Sequence, residues 1–376
     1  MNALNLCKTL KVLIVLALIM FTKKYASAEV LGDESIDGAE SKIARPAFAI
    51  AYSADGKLLI VGVQKWTNTQ AVTTWDVHTH EQISFIPRQQ IDRSHLLGGL
   101  RSPETKAIRF TVVMEATDVV TGQKVQYDLG LHPNMTPLKF ERFNSTGDLL
   151  AAIDKEQQIH VFDLKDRREL LSRLPPPRSY IQDLTFSKSG DFLYCVGEKE
   201  AGESKPGFVR AWKLKEREPS WSLDAQEQRC LRIKISTDDT LIALGTGDRL
   251  FQAGELKLLD SQTGKERLKK SLSAAATSVA FSLDGRFIFV GDSKGGLFAW
   301  KIQTGALVFE LHDEKSGIND ISCSPDGRSI ATAADDGSVT IRSIETGKIV
   351  DHIVTSSAKI EFGDKSDKNQ RETKEE

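Results

Sequence analysis

The sequence predicts an all-β fold, a seven-bladed β-propeller of four-stranded blades whose second blade is degenerate. Two recurring landmarks and their spacing predict it. A tight-turn motif of the form Ser-x-Asp-Gly repeats along the chain. After each copy comes an aromatic or aliphatic residue, often followed by Asp. Both landmarks return every 41 to 50 residues, the repeat length of propeller blades. The 376 residues are 40% hydrophobic and 27% charged, which excludes a coiled coil, a collagenous chain and a wholly disordered protein. With 50 basic residues against 52 acidic ones, the chain lacks the concentrated positive charge of a dedicated nucleic-acid binder.

The first residues read as an address. Lys8 and Lys11 precede the apolar run Val12 to Phe21, and Ala26-Ser27-Ala28 follows as a small-x-small cleavage site. This order is that of a secretory signal peptide over residues 1–28. The run is half the roughly 20 apolar residues that a spanning helix needs, so an uncleaved anchor is the alternative and no span is expected after cleavage. Removing residues 1–28 takes away four lysines and no acid, leaving a formal charge of −6. Residues 29–47 read as a lead-in segment, 48–354 as the propeller and 355–376 as a disordered polar tail. Export implies an oxidising compartment. Cys195, Cys230 and Cys323 remain, an odd number in apolar stretches, and they read as buried free thiols rather than a disulfide framework.

The first landmark appears as Ser53-Ala-Asp-Gly56, Asn144-Ser-Thr-Gly147, Ser187-Lys-Ser-Gly190, Ser236-Thr-Asp-Asp239, Ser282-Leu-Asp-Gly285 and Ser324-Pro-Asp-Gly327. A degenerate copy stands at Ser102-Pro-Glu-Thr105. Asp-Gly and its relatives supply the positive φ that a tight hairpin requires. The second landmark falls at Trp75, Thr117, Phe162, Trp212, Leu259, Trp300 and Arg342. Flanking runs such as Phe48 to Tyr52 and Phe287 to Val290 are short and rich in β-branched or aromatic residues. Lys348 to Val354 reads as the last blade's own outer strand. Small sheets of this kind cannot bury both faces alone, and radial stacking solves that.

These residues resemble the WD-repeat family, whose blades end the third strand in Trp-Asp and begin the second after Ser-Pro-Asp-Gly. The match is best from Ser273 to Val354, with Trp300 and Ser324-Pro-Asp-Gly327, and extends over about residues 45–355. The family's Gly-His pair is absent throughout, so its network of His, Ser/Thr, Asp and Trp is incomplete in every unit. The sixth unit keeps Asp292 and Trp300. The seventh keeps His312 and Asp335 but has Arg342 where Trp would sit. A related propeller of the secreted quinoprotein-like or TolB-like type stays open.

The distance from turn to second landmark is 18 residues in the third, sixth and seventh units, 15 in the second, and 22, 25 and 23 in the first, fourth and fifth. The three extensions fall at Gln64 to Gln70, Glu198 to Gly207 and Thr246 to Glu255. The resemblance places these loops on one rim, the face with which that family grips partners. Trp66, Lys199, Lys205, Arg249 and Phe251 are the candidate partner-binding residues there, because exposed aromatics and Arg dominate interface energetics.

Motifs that could carry chemistry lack their context. Gly291-Asp-Ser-Lys-Gly295 has the Gly-x-Ser-x-Gly pattern of serine hydrolases, but it aligns with a hairpin turn and no helix follows Ser293. His78-Thr-His80 has the spacing of half a zinc site, yet it falls on a turn with no third ligand near in sequence. Trp75, Trp212 and Trp300 read as core between blades. Asn144-Ser-Thr146 fits a glycosylation acceptor. The reading is a noncatalytic, extracytoplasmic platform for protein or peptide partners, a monomer or part of a larger complex, without cofactor or metal. The alternative is a secreted enzyme, lactonase-like or quinoprotein dehydrogenase-like, with its site in the central channel.

Overall fold

The computed structural model describes residues 46–354 except 54, 65–69, 88–99, 102–107, 118–123, 134–139, 154–156, 166–167, 174–178, 200–206, 215, 217–218 and 249. The expected segments 1–28 and 355–376 lie outside the described residues. All regular structure described is β-strand.

Six antiparallel four-stranded sheets follow one another along the chain. Blade I holds β1 (Ala47–Tyr52), β2 (Leu58–Gln64), β3 (Gln70–Asp76) and β4 (Gln82–Pro87). A three-stranded sheet follows, with β5 (Leu100–Arg101), β6 (Ile108–Thr117) and β7 (Lys124–Pro133). Blade II holds β8 (Phe140–Phe143), β9 (Leu149–Ile153), β10 (Ile159–Asp163) and β11 (Arg168–Arg173). Blade III holds β12 (Ser179–Phe186), β13 (Phe192–Lys199), β14 (Gly207–Lys213) and β15 (Pro219–Gln226). Blade IV holds β16 (Arg229–Ile235), β17 (Leu241–Gly247), β18 (Gly254–Asp260) and β19 (Glu266–Leu272). Blade V holds β20 (Ala276–Phe281), β21 (Phe287–Asp292), β22 (Leu297–Lys301) and β23 (Leu307–Leu311). Blade VI holds β24 (Ile318–Cys323), β25 (Ser329–Ala334), β26 (Ser338–Ser343) and β27 (Ile349–Val354).

The expectation of seven four-stranded blades is therefore corrected to six. The second repeat unit forms only the sheet β5-β6-β7. Elsewhere the stretch between the two landmarks holds two strands and a hairpin. Here only 15 residues separate Ser102 from Thr117, and the single ten-residue strand β6 occupies that space. Ser102-Pro-Glu-Thr105 also lacks the glycine that five of the six four-stranded blades use at this turn.

The first strand of each blade is innermost. β8 meets β12, β12 meets β16, β16 meets β20, β20 meets β24, and β24 meets β1. Among the described residues the ring thus closes by packing blade VI against blade I, each of the two blades being built from four strands consecutive in sequence. Ile50, Leu59, Val61 and Trp75 of blade I bury themselves against Ala331, Val339 and Ile341 of blade VI. Asp320 reinforces this seam by accepting a hydrogen bond from the Ile50 N–H at 3.1 Å. Asp183 does the same between blades III and IV, accepting from the Ile233 N–H at 3.1 Å. Both aspartates follow a bulge, an unpaired residue that breaks the register of the inner strand.

Trp75, Trp212 and Trp300 lie buried between blades, as the sequence indicates. Each such aromatic removes 150–250 Å² of mostly apolar surface from water, worth about 3 kcal/mol or more. Cys195 and Cys230 are buried and unpaired, and Cys323 is a half-buried free thiol. Burial pushes the thiols of Cys230 and Cys323 up to about 12, so they are protonated and unreactive at neutral pH.

Arg342 takes the place of a blade-core Trp with different chemistry. Its side chain is 2% exposed and grips Asp313 at 2.9 Å and Glu314 at 3.2 Å. Glu314 also accepts from the hydroxyls of Thr332 and Thr340. A planar cation with a carboxylate partner fills the space an indole would fill. His312 and Asp335 stand outside this network. His312 meets Phe298 edge-on, and Asp335 accepts from Asn319 Nδ2 at 2.7 Å.

Candidate binding face

The register places the two ends of every blade on opposite faces of the ring. One face carries the Ser-x-Asp-Gly turns and the hairpins between third and fourth strands. The other carries the connections between second and third strands and the crossings from blade to blade.

The turn face is a stitched frame. In its full form, the Ser hydroxyl donates to the Asp two residues on and accepts the N–H that opens the second strand. Ser282 does so with Asp284 at 2.6 Å and Phe287 at 2.9 Å. Ser53, Ser236 and Ser324 repeat the pattern. Asn144 replaces Ser in blade II, and its amide group is consumed by Thr146, Asp148 and Leu149, which leaves it buried rather than presented as a glycosylation acceptor. Adjacent turns are then joined to one another. Ser145 Oγ donates to the Lys188 carbonyl at 3.0 Å, and Thr237 Oγ1 to the Leu283 carbonyl at 3.2 Å. Asp239 accepts the N–H groups of Lys188 and Ser189 at 2.6 and 2.9 Å. It sits at φ 60°, where the other turns use glycine, and these two bonds offset that strain.

The loop face differs. Its described centre is the connection from Asp248 to Ala253, the extension of the fifth repeat unit. Phe251 sits at φ 57°, a strained value for a bulky side chain. Its ring lies under the Arg229 guanidinium, 5.1 Å from centroid to Cζ. Arg229 in turn donates to the Asp248 carbonyl at 3.0 Å. The Phe251 carbonyl accepts from Ser293 Oγ at 3.2 Å and from the Ala275 N–H at 3.4 Å. Lys294 reaches Gln252 Oε1 at 3.3 Å. The loop is thus held by blade V on one side and by Arg229 on the other. Leu250, at its tip, is 73% exposed. Tyr180, near the start of β12 on the same face, is 44% exposed.

Against this geometry the five candidate residues divide. Phe251 is on the expected face but acts as a half-buried brace. Lys199 lies at the end of β13 with Nζ 2.8 Å from Asp224, which also accepts from Arg210 at 2.6 Å. Trp66, Lys205 and Arg249 lie outside the described residues. Leu250 and Tyr180 were not singled out by the sequence. A hydrophobic residue inside the polar turn Asp248 to Ala253 was the available signal for Leu250.

Ser293 lies in the turn from Asp292 to Gly296, with Gly295 at φ 89° and its hydroxyl turned to Phe251. His78 and His80 sit in a turn whose N–H groups are capped by Asp76 at 2.8 Å, and His80 pairs with Asp351 of blade VI. Among the described residues no group of three or more His, Cys, Asp or Glu is arranged to hold a metal ion. No helix there is long and apolar enough to cross a membrane.

Comparison with known proteins gives two findings. The family model described as the outer membrane protein assembly factor BamB, PQQ_2, matches residues 205–368, which run from just before β14 through β27. The WD repeat-containing protein SL1-17 of Schistosoma mansoni is 25% identical over 159 residues, 42% of this chain and 51% of that protein. The chain therefore spans about half the length of that relative. Both similarities support a propeller, and the region over residues 205–368 is BamB-like.

Proposed function

We propose that the protein is a noncatalytic, extracytoplasmic platform that binds a protein or peptide partner on its loop face. The observation that carries this reading is Leu250, a large apolar side chain standing 73% exposed on a loop that is braced from both sides. A rigid support lowers the ordering cost of binding, and an exposed apolar anchor supplies area to bury. Tyr180 is a second exposed side chain on the same face, and aromatic residues are enriched in such contacts. The similarity to a factor described by outer membrane protein assembly, together with the signal-like residues 1–28, supports a partner encountered beyond the cytoplasmic membrane.

The test is photo-crosslinking in the native extracytoplasmic fraction from a reactive residue placed at position 250. The expected result is a discrete adduct that disappears when Tyr180→Ser is added. A reactive residue at position 283, on the turn face, should yield no such adduct. Equal labelling from both positions would overturn the reading.

A further inference from the structure

The turns that join third to fourth strands carry a second feature, independent of the loop face. In blades IV, V and VI such a turn ends in Gly264, Gly305 and Gly347, at φ 70°, 66° and 69°. Each glycine N–H donates to the carbonyl four residues back, on Asp260, Lys301 or Ser343, at 2.8–2.9 Å. A Cβ added at these glycines would stand 2.7–3.0 Å from the outer strand of the preceding blade, against Trp221, Leu268 or Leu311. At these three seams the turn of one blade thus lies directly on an apolar side chain of the blade before it.

Blade I makes the same turn without glycine. His80 donates its N–H to the Asp76 carbonyl at 3.0 Å and stands at φ 59°. A residue with a Cβ is strained in this region, so an imidazole is held here at a cost that glycine would not carry. The blade before it in the ring is blade VI, and there the imidazole meets a carboxylate. Nε2 of His80 contacts Oδ2 of Asp351 on β27. Oδ1 of Asp351 accepts the His352 N–H at 2.7 Å, which fixes the carboxylate. The contact lies on the seam that closes the ring, between the first and last four-stranded blades of the chain.

Other charged groups stand on the elements around this pair. They are Asp76, His78 and Glu81 in the same turn, Asp55 and Lys57 at the tight turn of blade I, and Asp326, Arg328, Glu345 and Lys348 on blade VI. Hydrogen bonds from the Ser53 hydroxyl, the Thr79 N–H and the Ser324 hydroxyl hold Asp55, Asp76 and Asp326 below the usual carboxylate range. They stay ionised between pH 5 and 8, the range in which histidine side chains change charge. Burial raises the Tyr52 and Cys323 groups of blades I and VI, so both stay neutral across it.

We propose that His80 and Asp351 form a pH-operated latch on the seam that closes the ring. With the imidazole protonated, the contact is an ion pair between blades I and VI. As pH rises the proton leaves, the attraction falls to that of a neutral contact, and the strain at His80 remains. The seam is therefore held more tightly in mild acid than at pH 8. The His80 side chain is 47% exposed and that of Asp351 19%, so the effect has the size of a partly exposed pair. It does not depend on the loop face or on its partner.

Amide hydrogen exchange at Ile50, whose N–H crosses this seam to Asp320, reads its opening. The quantity is the protection at pH 5.5 divided by that at pH 8, each corrected for intrinsic exchange. It should be about three- to fivefold greater in the unaltered protein than in either His80→Gly or Asp351→Asn. Asp320 also titrates at this seam, but it is common to all three proteins, so the comparison isolates the latch. At pH 8 His80→Gly should be protected at least as well as the unaltered protein, because glycine is at ease at this φ. Asp351→Asn keeps the shape of the side chain and serves should the turn variant fail to fold. A ratio equal in all folded proteins, or protection lost in His80→Gly as much at pH 8 as at pH 5.5, would overturn the proposal.

Discussion

The two faces of the ring are built from the same repeat, yet they spend their polar groups differently. On the turn face, side chains of one blade bond to the backbone of the next, and turn lengths hardly vary. The loop face carries the three extended connections, and its described extension is braced while its tip stays exposed. The turn face also exposes apolar side chains, Leu283, Leu307, Ile349 and Val350 among them, but its polar groups are committed to neighbouring blades. A braced loop with Leu250 in solvent has both rigidity and unspent apolar area.

The largest expected effect belongs to neither face. Trp300→Ala, in the core between blades IV and V, should cost about 3–5 kcal/mol in chemical denaturation and so calibrate the scale for both. Asp239→Ala on the turn face removes the acceptor for two N–H groups of blade III and leaves Ala at φ 60°. A loss of about 2 kcal/mol is expected, with crosslinking from position 250 unchanged. A neutral outcome would show that the stitching between turns contributes nothing.

Acid should distinguish the turn face from the seam between blades VI and I. Burial pushes the Asp148 and Asp284 carboxyls up, but hydrogen bonds from Thr146 and Asn144 in one case, and from Ser282 and Arg286 in the other, outweigh it and hold both at about 2. Hydrogen bonds from Arg267 and Thr263 hold Asp260 at about 2. These groups ionise more readily in the fold than in the unfolded chain. They therefore stabilise it above pH about 4, and that contribution is lost as pH falls from about 4 towards 2. Asp320 has the opposite sign. Burial raises its carboxyl, against the pull of Lys234 and of the Ile50 N–H, so its ionisation destabilises the fold as pH rises above about 4. Thermal unfolding across pH 2–6 should show Asp320→Asn gaining on the unaltered protein as pH rises. Asp284→Asn should instead flatten the acid limb.

Smallest of all are the changes in stability on the loop face. Leu250→Ser should leave stability within about 0.5 kcal/mol, since an exposed side chain gives up little on folding. Lys199→Ala breaks a partly exposed ion pair and should cost at most about 1 kcal/mol.

Much of this architecture was legible in the sequence, because its turns need particular chemistry. Ser282, Asp284 and Gly285 each have one physical task in the hairpin, so the motif announces the blade. The blade count was not legible in the same way. Ser102-Pro-Glu-Thr105 and Thr117 recur on schedule, yet recurrence does not say whether 15 residues hold one strand or two, and β6 holds one. At the candidate site, spacing located the extended loop but not the roles within it. Phe251 and Leu250 are neighbours of similar hydrophobicity. Only the Arg229 guanidinium above the Phe251 ring and the bond from Ser293 decide which is brace and which is tip. The pairing of Lys199 with Asp224 spans a strand-to-strand contact that no local motif reveals.

Whether binding resides on the loop face can be measured directly. The partner recovered by crosslinking from position 250 should be titrated against the unaltered protein, Leu250→Ser and Asp239→Ala. Affinity should fall at least tenfold in Leu250→Ser and stay unchanged in Asp239→Ala, with both variants folded. Affinity lost in Asp239→Ala and kept in Leu250→Ser would place binding on the turn face and contradict it.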